Sequence, residues 1–214
     1  MKKFLGVYDY TVILTYLSLV SSVLGIVQAF RGYYAVAIIC LAVSGLCDAF
    51  DGRVARAKKD RTEDDKAFGV QLDSLCDVVC FGVFPALLCY NMGMDGIIGL
   101  VIGCFYALCA VIRLAFFNVL EGKRQQTEDG ATKTYHGLPV TSIAFLLPLF
   151  FLLSFVSGLD SIGFQVAMHC LMTVVGFLFI LDFPLRKPSL KTLLIMIAIV
   201  AVLVCGVFVY QFAL

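Results

Sequence analysis

The sequence predicts an all-α integral membrane protein: a polytopic bundle of six or seven transmembrane helices with its amino terminus in the cytoplasm. Three observations predict this class. Hydrophobic residues fill 61% of the 214 positions and charged residues only 14%, whereas a soluble domain carries about 25% charged residues. Mean hydropathy is +0.98. The apolar residues also gather into runs of about 18 to 25, the length a helix needs to cross a hydrocarbon core of roughly 30 Å.

The first run, 10–30, follows MKKFLGVYDY. It is too long for the apolar core of a cleaved signal, about 7–15 residues, and reads as a retained first span. Further spans are expected at 33–50, 68–92, 97–120, 138–156, 162–181 and 192–213. The third carries Asp73 and Asp77 and the fourth carries Arg113; the others are almost free of charge. Polar connections are expected at about 51–67, 121–137 and 182–191, within a single domain over 1–214. The nine cysteines lie mostly in apolar runs with no C-x-x-C pair, and read as small packing residues. His136 and His169 are too far apart to make a zinc site alone, and His169 reads as packed in its span.

The basic residues set the orientation. With the amino terminus inside and alternating spans, 14 of the 16 Lys and Arg fall in cytoplasmic stretches. Arg31 alone lies opposite, and Arg113 is within a span. This is a strong positive-inside bias. It places the stretch CDAFDGRVARAKKDRTEDDKAFGVQLDSLCDVV, Cys47–Val79, at the cytoplasmic face.

Four acids in that stretch stand at the edges of apolar runs. Asp48 and Asp51 are spaced i, i+3 at the end of the second span; Asp73 and Asp77 are spaced i, i+4 at the start of the third. Each pair therefore forms a stripe on one helix face. The two helices are antiparallel neighbours, so the stripes can face each other at one depth. Four such carboxylates repel unless a proton or cations sit among them. Hard divalent cations suit oxygen ligands, and a pair of them suits phosphoryl chemistry. Gly52, Ala55 and Gly69 share these faces and leave room for a ligand to approach the backbone. Asp60, Glu63, Asp64 and Asp65 fit a solvated loop. Asp73 and Asp77 do not, because VVCFGVFPALLCY follows them and an acid within a span points to function.

These residues read DAFDGRVAR, twelve residues, then GVQLDSLCD. The pattern resembles the signature of the CDP-alcohol phosphotransferase family, D-x-x-D-G-x-x-A-R followed by G-x-x-x-D-x-x-x-D. All eight fixed positions match: Asp48, Asp51, Gly52, Ala55, Arg56, Gly69, Asp73 and Asp77. The usual spacer is about eight residues, and the surplus fits the hydrophilic middle. The resemblance implies that a CDP-activated lipid, usually CDP-diacylglycerol, gives its phosphatidyl group to a small alcohol and releases CMP. It implies two metal ions, Mg²⁺ or Mn²⁺, held by Asp48, Asp51 and Asp73, with Asp77 as base and further ligand. It implies a donor pocket at Gly52, Ala55, Arg56 and Gly69. It also implies a homodimer in membrane lipid, with no nucleic acid among its partners.

Within the family the chain most resembles the membrane-integral phosphatidylserine synthases. DSLCDVVCFGVFPA, RLAFFN and HGLPVTSIA stand where these read DSLADVVSFGVAPA, RLARFN-like and GLPIPAAA. The implied acceptor is L-serine, in a prokaryotic cytoplasmic membrane. Arg113 is a candidate clamp for its carboxylate, since a guanidinium binds carboxylates bidentately; snorkelling to the interface is the alternative reading of this arginine. Asn118, Lys133 and His136 are further acceptor candidates. The same chemistry with glycerol 3-phosphate or inositol phosphate is the nearest rival. An ion transporter is a more distant one, since no repeated halves or broken mid-membrane spans are evident.

Overall fold

The computed structural model describes residues 6–58, 60–127 and 134–186, with isolated positions beyond. It is helical, apart from one short ribbon. The helices are α1 (Ile13–Phe30), α2 (Tyr34–Ala57), α3 (Glu63–Asp77), α4 (Phe84–Asn91), α5 (Gly96–Thr127), α6 (Ile143–Phe151), α7 (Ser154–Ser157) and α8 (Ile162–Ile180). A π turn, Val78–Val83, joins α3 to α4 without a break, and a 3-10 turn, Val140–Ser142, leads into α6. Strands β1 (Thr134–His136) and β2 (Pro184–Arg186) pair antiparallel, Tyr135 opposite Leu185.

Five helical rods are long and apolar enough to cross a membrane: Ile13–Phe30, Tyr34–Ala57, Glu63–Asn91, Gly96–Gly122 and Ile162–Ile180. Large apolar residues on their outer faces are exposed, such as Leu17, Leu24, Ile98 and Phe177. This is the surface of an integral membrane protein, because lipid rather than water can cover such faces. Within the expected fifth span, 138–156, the apolar helix is Val140–Phe151, with Pro148 inside it. The backbone stays helical through Leu152 and Leu153, where hydrogen bonds tighten to three residues back, and continues into α7. The expected seventh span, 192–213, lies almost wholly outside the described residues, as does Lys133.

The connections are also tighter than the polarity of the sequence suggests. Most of 51–67 is helical, leaving only 58–62 between α2 and α3. Thr62 caps α3: its side chain accepts from Asp65 N at 3.1 Å, and the Asp65 carboxylate accepts from Thr62 N at 3.1 Å. With Glu63 and Asp64 also in the first turn, the acids meet the positive end of the helix. Asp65 is thus a half-buried cap and not a free solvent-facing acid, whereas Asp60, Glu63 and Asp64 are exposed as expected. Likewise α5 continues to Thr127, through the first part of the expected 121–137 loop.

The rod α3–α4 is central. Its most apolar stretch is 61% buried, against 28–33% in the other four rods. Phe81, Phe84 and Leu88 from this rod meet Tyr106 of α5, Leu147 of α6 and Met172 of α8 in one core. Close approach needs small residues: a Cβ at Gly45 of α2 would stand 2.4 Å from Ala144 Cβ of α6. The eight described cysteines are free thiols, and His169 bonds the Gln165 carbonyl of its own helix at 2.7 Å. Both findings agree with packing roles.

The segment before α1 is tied to the end of α2. Lys58 Nζ donates to Asp9 Oδ2 at 2.6 Å, and Thr11 N donates to Asp9 Oδ1 at 2.8 Å. Lys58, and then Thr11, hold the Asp9 carboxyl down from 3.8 to about 2. As pH falls the released segment gains the proton first, so this tie is at full strength above about pH 4 and lost towards about pH 2. We predict that the protection of residues 6–12 from hydrogen exchange, relative to the intrinsic rate at each pH, is lost through that window and that Asp9→Asn lacks this protection at every pH. An Asp9→Asn profile matching the parent would show that the tie does not hold the segment.

Candidate active site

The second half of α2 and the end of α3 bring the four acids together. Carboxylate oxygens of Asp48, Asp73 and Asp77 lie within 4.8 Å of one another. Asp51 joins them through Asp73, and Asp48 contacts Asp77 across the two helices. Asp51 and Asp77 are each only 7% exposed. Asp73 Oδ1 is shielded from solvent and has no hydrogen-bond partner among the described residues.

Buried polar atoms nearly always have partners, and an orphaned carboxylate oxygen facing other carboxylates calls for a proton or a cation among them. The donor set is all oxygen, the set that Mg²⁺ and Mn²⁺ prefer. The residues therefore fit the pair of divalent ions that the sequence implies.

The surroundings fix the acids. Thr15 of α1 donates to Asp51 Oδ2 at 3.0 Å. Below it, Ser18 and Ser22 of α1 meet Ser44 of α2 at 2.6 and 2.9 Å. Thr15, Ser18 and Ser22 are spaced three and four apart, so they form one buried polar seam against α2. Asp77 is followed at once by the π turn, in which Phe84 N reaches back five residues to the Val79 carbonyl. Pro85 has no N–H to serve the carbonyl four residues back, Phe81. The fully buried Tyr106 donates its hydroxyl to that carbonyl at 2.8 Å.

The small residues on the acid-bearing helices stand against arginine side chains. A Cβ at Gly52 would lie 3.1 Å from Arg56 Nη1, and one at Gly69 would lie 2.6 Å from Arg61 Nη2. Arg56 is exposed, Ala55 half-buried.

The acceptor candidates are placed unevenly. Asn118 reaches α3: Ser74 Oγ donates to its Oδ1 at 2.7 Å, and its Nδ2 donates to Gln71 Oε1 at 3.5 Å. Since Ser74 follows Asp73, Asn118 braces the acid-bearing helix. Arg113 is 6% exposed, and its Nε donates to the Leu138 carbonyl at 3.3 Å. Burial at this level is inconsistent with snorkelling. His136 lies in β1, paired with Pro184. The next residue explains part of HGLP: Gly137 has φ +75°, and a Cβ there would stand 2.7 Å from the Leu181 carbonyl, a position open only to glycine.

Thr15, Tyr106 and Arg61 were not singled out from the sequence. The polar residues at 15, 18 and 22 within an apolar run were a readable signal for the first. The others depend on which helices become neighbours.

Comparison with known proteins agrees with this geometry. The family described as CDP-alcohol phosphatidyltransferase matches residues 11–180. An archaetidylserine synthase of Methanothermobacter thermautotrophicus is 35% identical over 161 residues, 75% of this chain and 65% of that protein. A CDP-diacylglycerol–serine O-phosphatidyltransferase of Saccharomyces cerevisiae is 38% identical over 106 residues, 48% of this chain and 37% of its own. One from Helicobacter pylori is 34% identical over 122 residues, 56% and 47% respectively. The chain thus spans 65% or less of these relatives' lengths. It belongs to the CDP-alcohol phosphatidyltransferase family.

Thr15→Val keeps the shape of the side chain and removes the hydroxyl that orients Asp51. We predict a fall of about 10- to 100-fold in Mn²⁺ affinity, with the thermal midpoint little changed. Parental affinity in the folded variant would remove Thr15 from the site.

Proposed function

We propose that this member of the family transfers the phosphatidyl group of CDP-diacylglycerol to the hydroxyl of L-serine, giving phosphatidylserine and CMP. The observation that carries the reading is the facing set of Asp48, Asp51, Asp73 and Asp77, with its orphaned Asp73 Oδ1. The acceptor assignment is supported by the DSLCDVVCFGVFPA and RLAFFN elements and by serine in the names of all three relatives.

Asp48, Asp51 and Asp73 would hold two divalent ions, with Asp77 as an additional ligand. When bound, such ions neutralise phosphate charge and lower the pKa of a nearby hydroxyl. Gly52, Ala55 and Gly69 make room for the nucleotide, and Arg56 pairs with it. Asp77 takes the proton of the serine hydroxyl. The serine oxygen forms a bond to the phosphorus that carries the lipid, and the bond from that phosphorus to the CMP oxygen breaks. Among the described residues no activated nucleophile stands apart from the acids, and this supports direct attack over a covalent phosphatidyl-enzyme.

Arg113 and Asn118 orient the serine, with Lys133 and His136 contributing from the connection after α5. Arg113 is suited to the serine carboxylate because guanidinium forms bidentate pairs. The positive-inside bias supports a cytoplasmic amino terminus and an active site at the cytoplasmic face of a prokaryotic membrane. The donor's acyl chains then stay in the bilayer while serine and CMP exchange with water. The working unit is a homodimer, as the family resemblance implies.

An acceptor screen following CMP release tests the reading. We predict release from CDP-diacylglycerol that requires L-serine and Mg²⁺ or Mn²⁺. Equal release with glycerol 3-phosphate and none with serine would overturn the acceptor. Asp77→Asn should fold normally and lose at least about 100-fold in kcat; near-parental turnover would exclude Asp77 as the base.

A further inference from the structure

Arg61 lies in the short connection 58–62, among charges that the sequence reads as marking the cytoplasmic side. The structure gives it a different setting. Its Nη2 donates to the Asp65 carbonyl at 2.9 Å, and its Nη1 to the Ala55 carbonyl at 3.5 Å. The guanidinium therefore bridges the end of α2 and the start of α3. It fills the notch left by the missing side chain of Gly69, where a Cβ would stand 2.6 Å from Nη2. Its Nε is shielded from solvent and has no acceptor among the described residues.

No carboxylate neutralises this cation among the described residues. The ion pairs there are Lys58 with Asp9 and Lys66 with Glu63. The nearby Asp65 carboxylate is engaged by Thr62 N. Arg56 stands against Gly52 in the same way. Two guanidiniums thus cover the two glycines of the signature, one from each side. A desolvated N–H without an acceptor, on an unpaired cation beside small residues, suits an incoming phosphate anion.

We propose that Arg61 is a second arginine of the donor pocket, binding the diphosphate of the cytidine nucleotide from the α3 side. This rests on the donor assignment made above. Its tip is the end of a flexible side chain held by two carbonyls, so it can shift over Gly69 as the nucleotide enters. Arg61 binds and positions the donor; it takes no proton and forms no bond in the reaction.

The test uses the full chain in detergent, with soluble CDP as the binding probe and Arg61→Ala, Arg61→Lys and Arg61→Gln as variants. The expected result for Arg61→Ala is a rise of about tenfold or more in the CDP dissociation constant and in the KM for CDP-diacylglycerol, with the serine KM within about twofold. Arg61→Lys should recover part of the loss, because it keeps the charge without the fork. Arg61→Gln keeps an amide donor for the two carbonyls and loses the charge, so it carries the test if the alanine variant does not fold. Parental CDP affinity in the folded variants, with only the thermal midpoint lowered, would overturn the proposal and leave Arg61 as a helix tie. Failure of the parent chain to bind CDP would overturn the donor assignment itself.

Discussion

The structure depends on one electrostatic constraint. Four carboxylates from two antiparallel helices are held at the edge of an apolar bundle, two of them only 7% exposed. Like charges so close and so poorly hydrated drive the helices apart unless a proton or cations sit among them. Contacts nearby brace the two helices. The cap at Thr62 and the 58–62 connection close the pair at one end. The packing of Gly45 against Ala144 holds α2 to its other neighbour.

A second ring of contacts fixes the acids on their helices. Thr15 and the serine seam join α1 to α2. Ser74 and Asn118 join α3 to α5. The π turn after Asp77 gives the central rod a local change of pitch where a regular helix would continue. Such turns occur mostly as single inserts and often at functional sites. Tyr106 satisfies the Phe81 carbonyl that Pro85 cannot serve, so the turn leaves no unpaired acceptor there. Together these contacts hold the acids in place while lipid and water meet at the same edge.

Much of this was legible in the sequence. The spacings of Asp48, Asp51, Asp73 and Asp77 on two adjoining apolar runs fixed their faces, since helical periodicity leaves little choice. The extent of the helices was less legible. Charges in KKDRTEDDKAF look like loop, yet Thr62 and three acids begin a helix there, because capping favours such residues at an amino end. The apolar run at 138–156 reads as one even span, whereas its helix tightens at Leu152 and Leu153, a local change of pitch that hydropathy does not record. Tyr106 and the ribbon of β1 with β2 depend on contacts between segments far apart in sequence, and Arg61 on the way the short connection folds back over Ala55 and Gly69; periodicity encodes neither.

The central claim is that the four acids form one site for two divalent ions. Electron paramagnetic resonance of Mn²⁺ titrated into the purified chain tests it directly, because two manganese ions a few ångströms apart couple magnetically. The account predicts two Mn²⁺ per chain with a coupled spectrum, and loss of the coupling in Asp73→Asn. A single uncoupled Mn²⁺, or a coupled pair that survives Asp73→Asn unchanged, would contradict it.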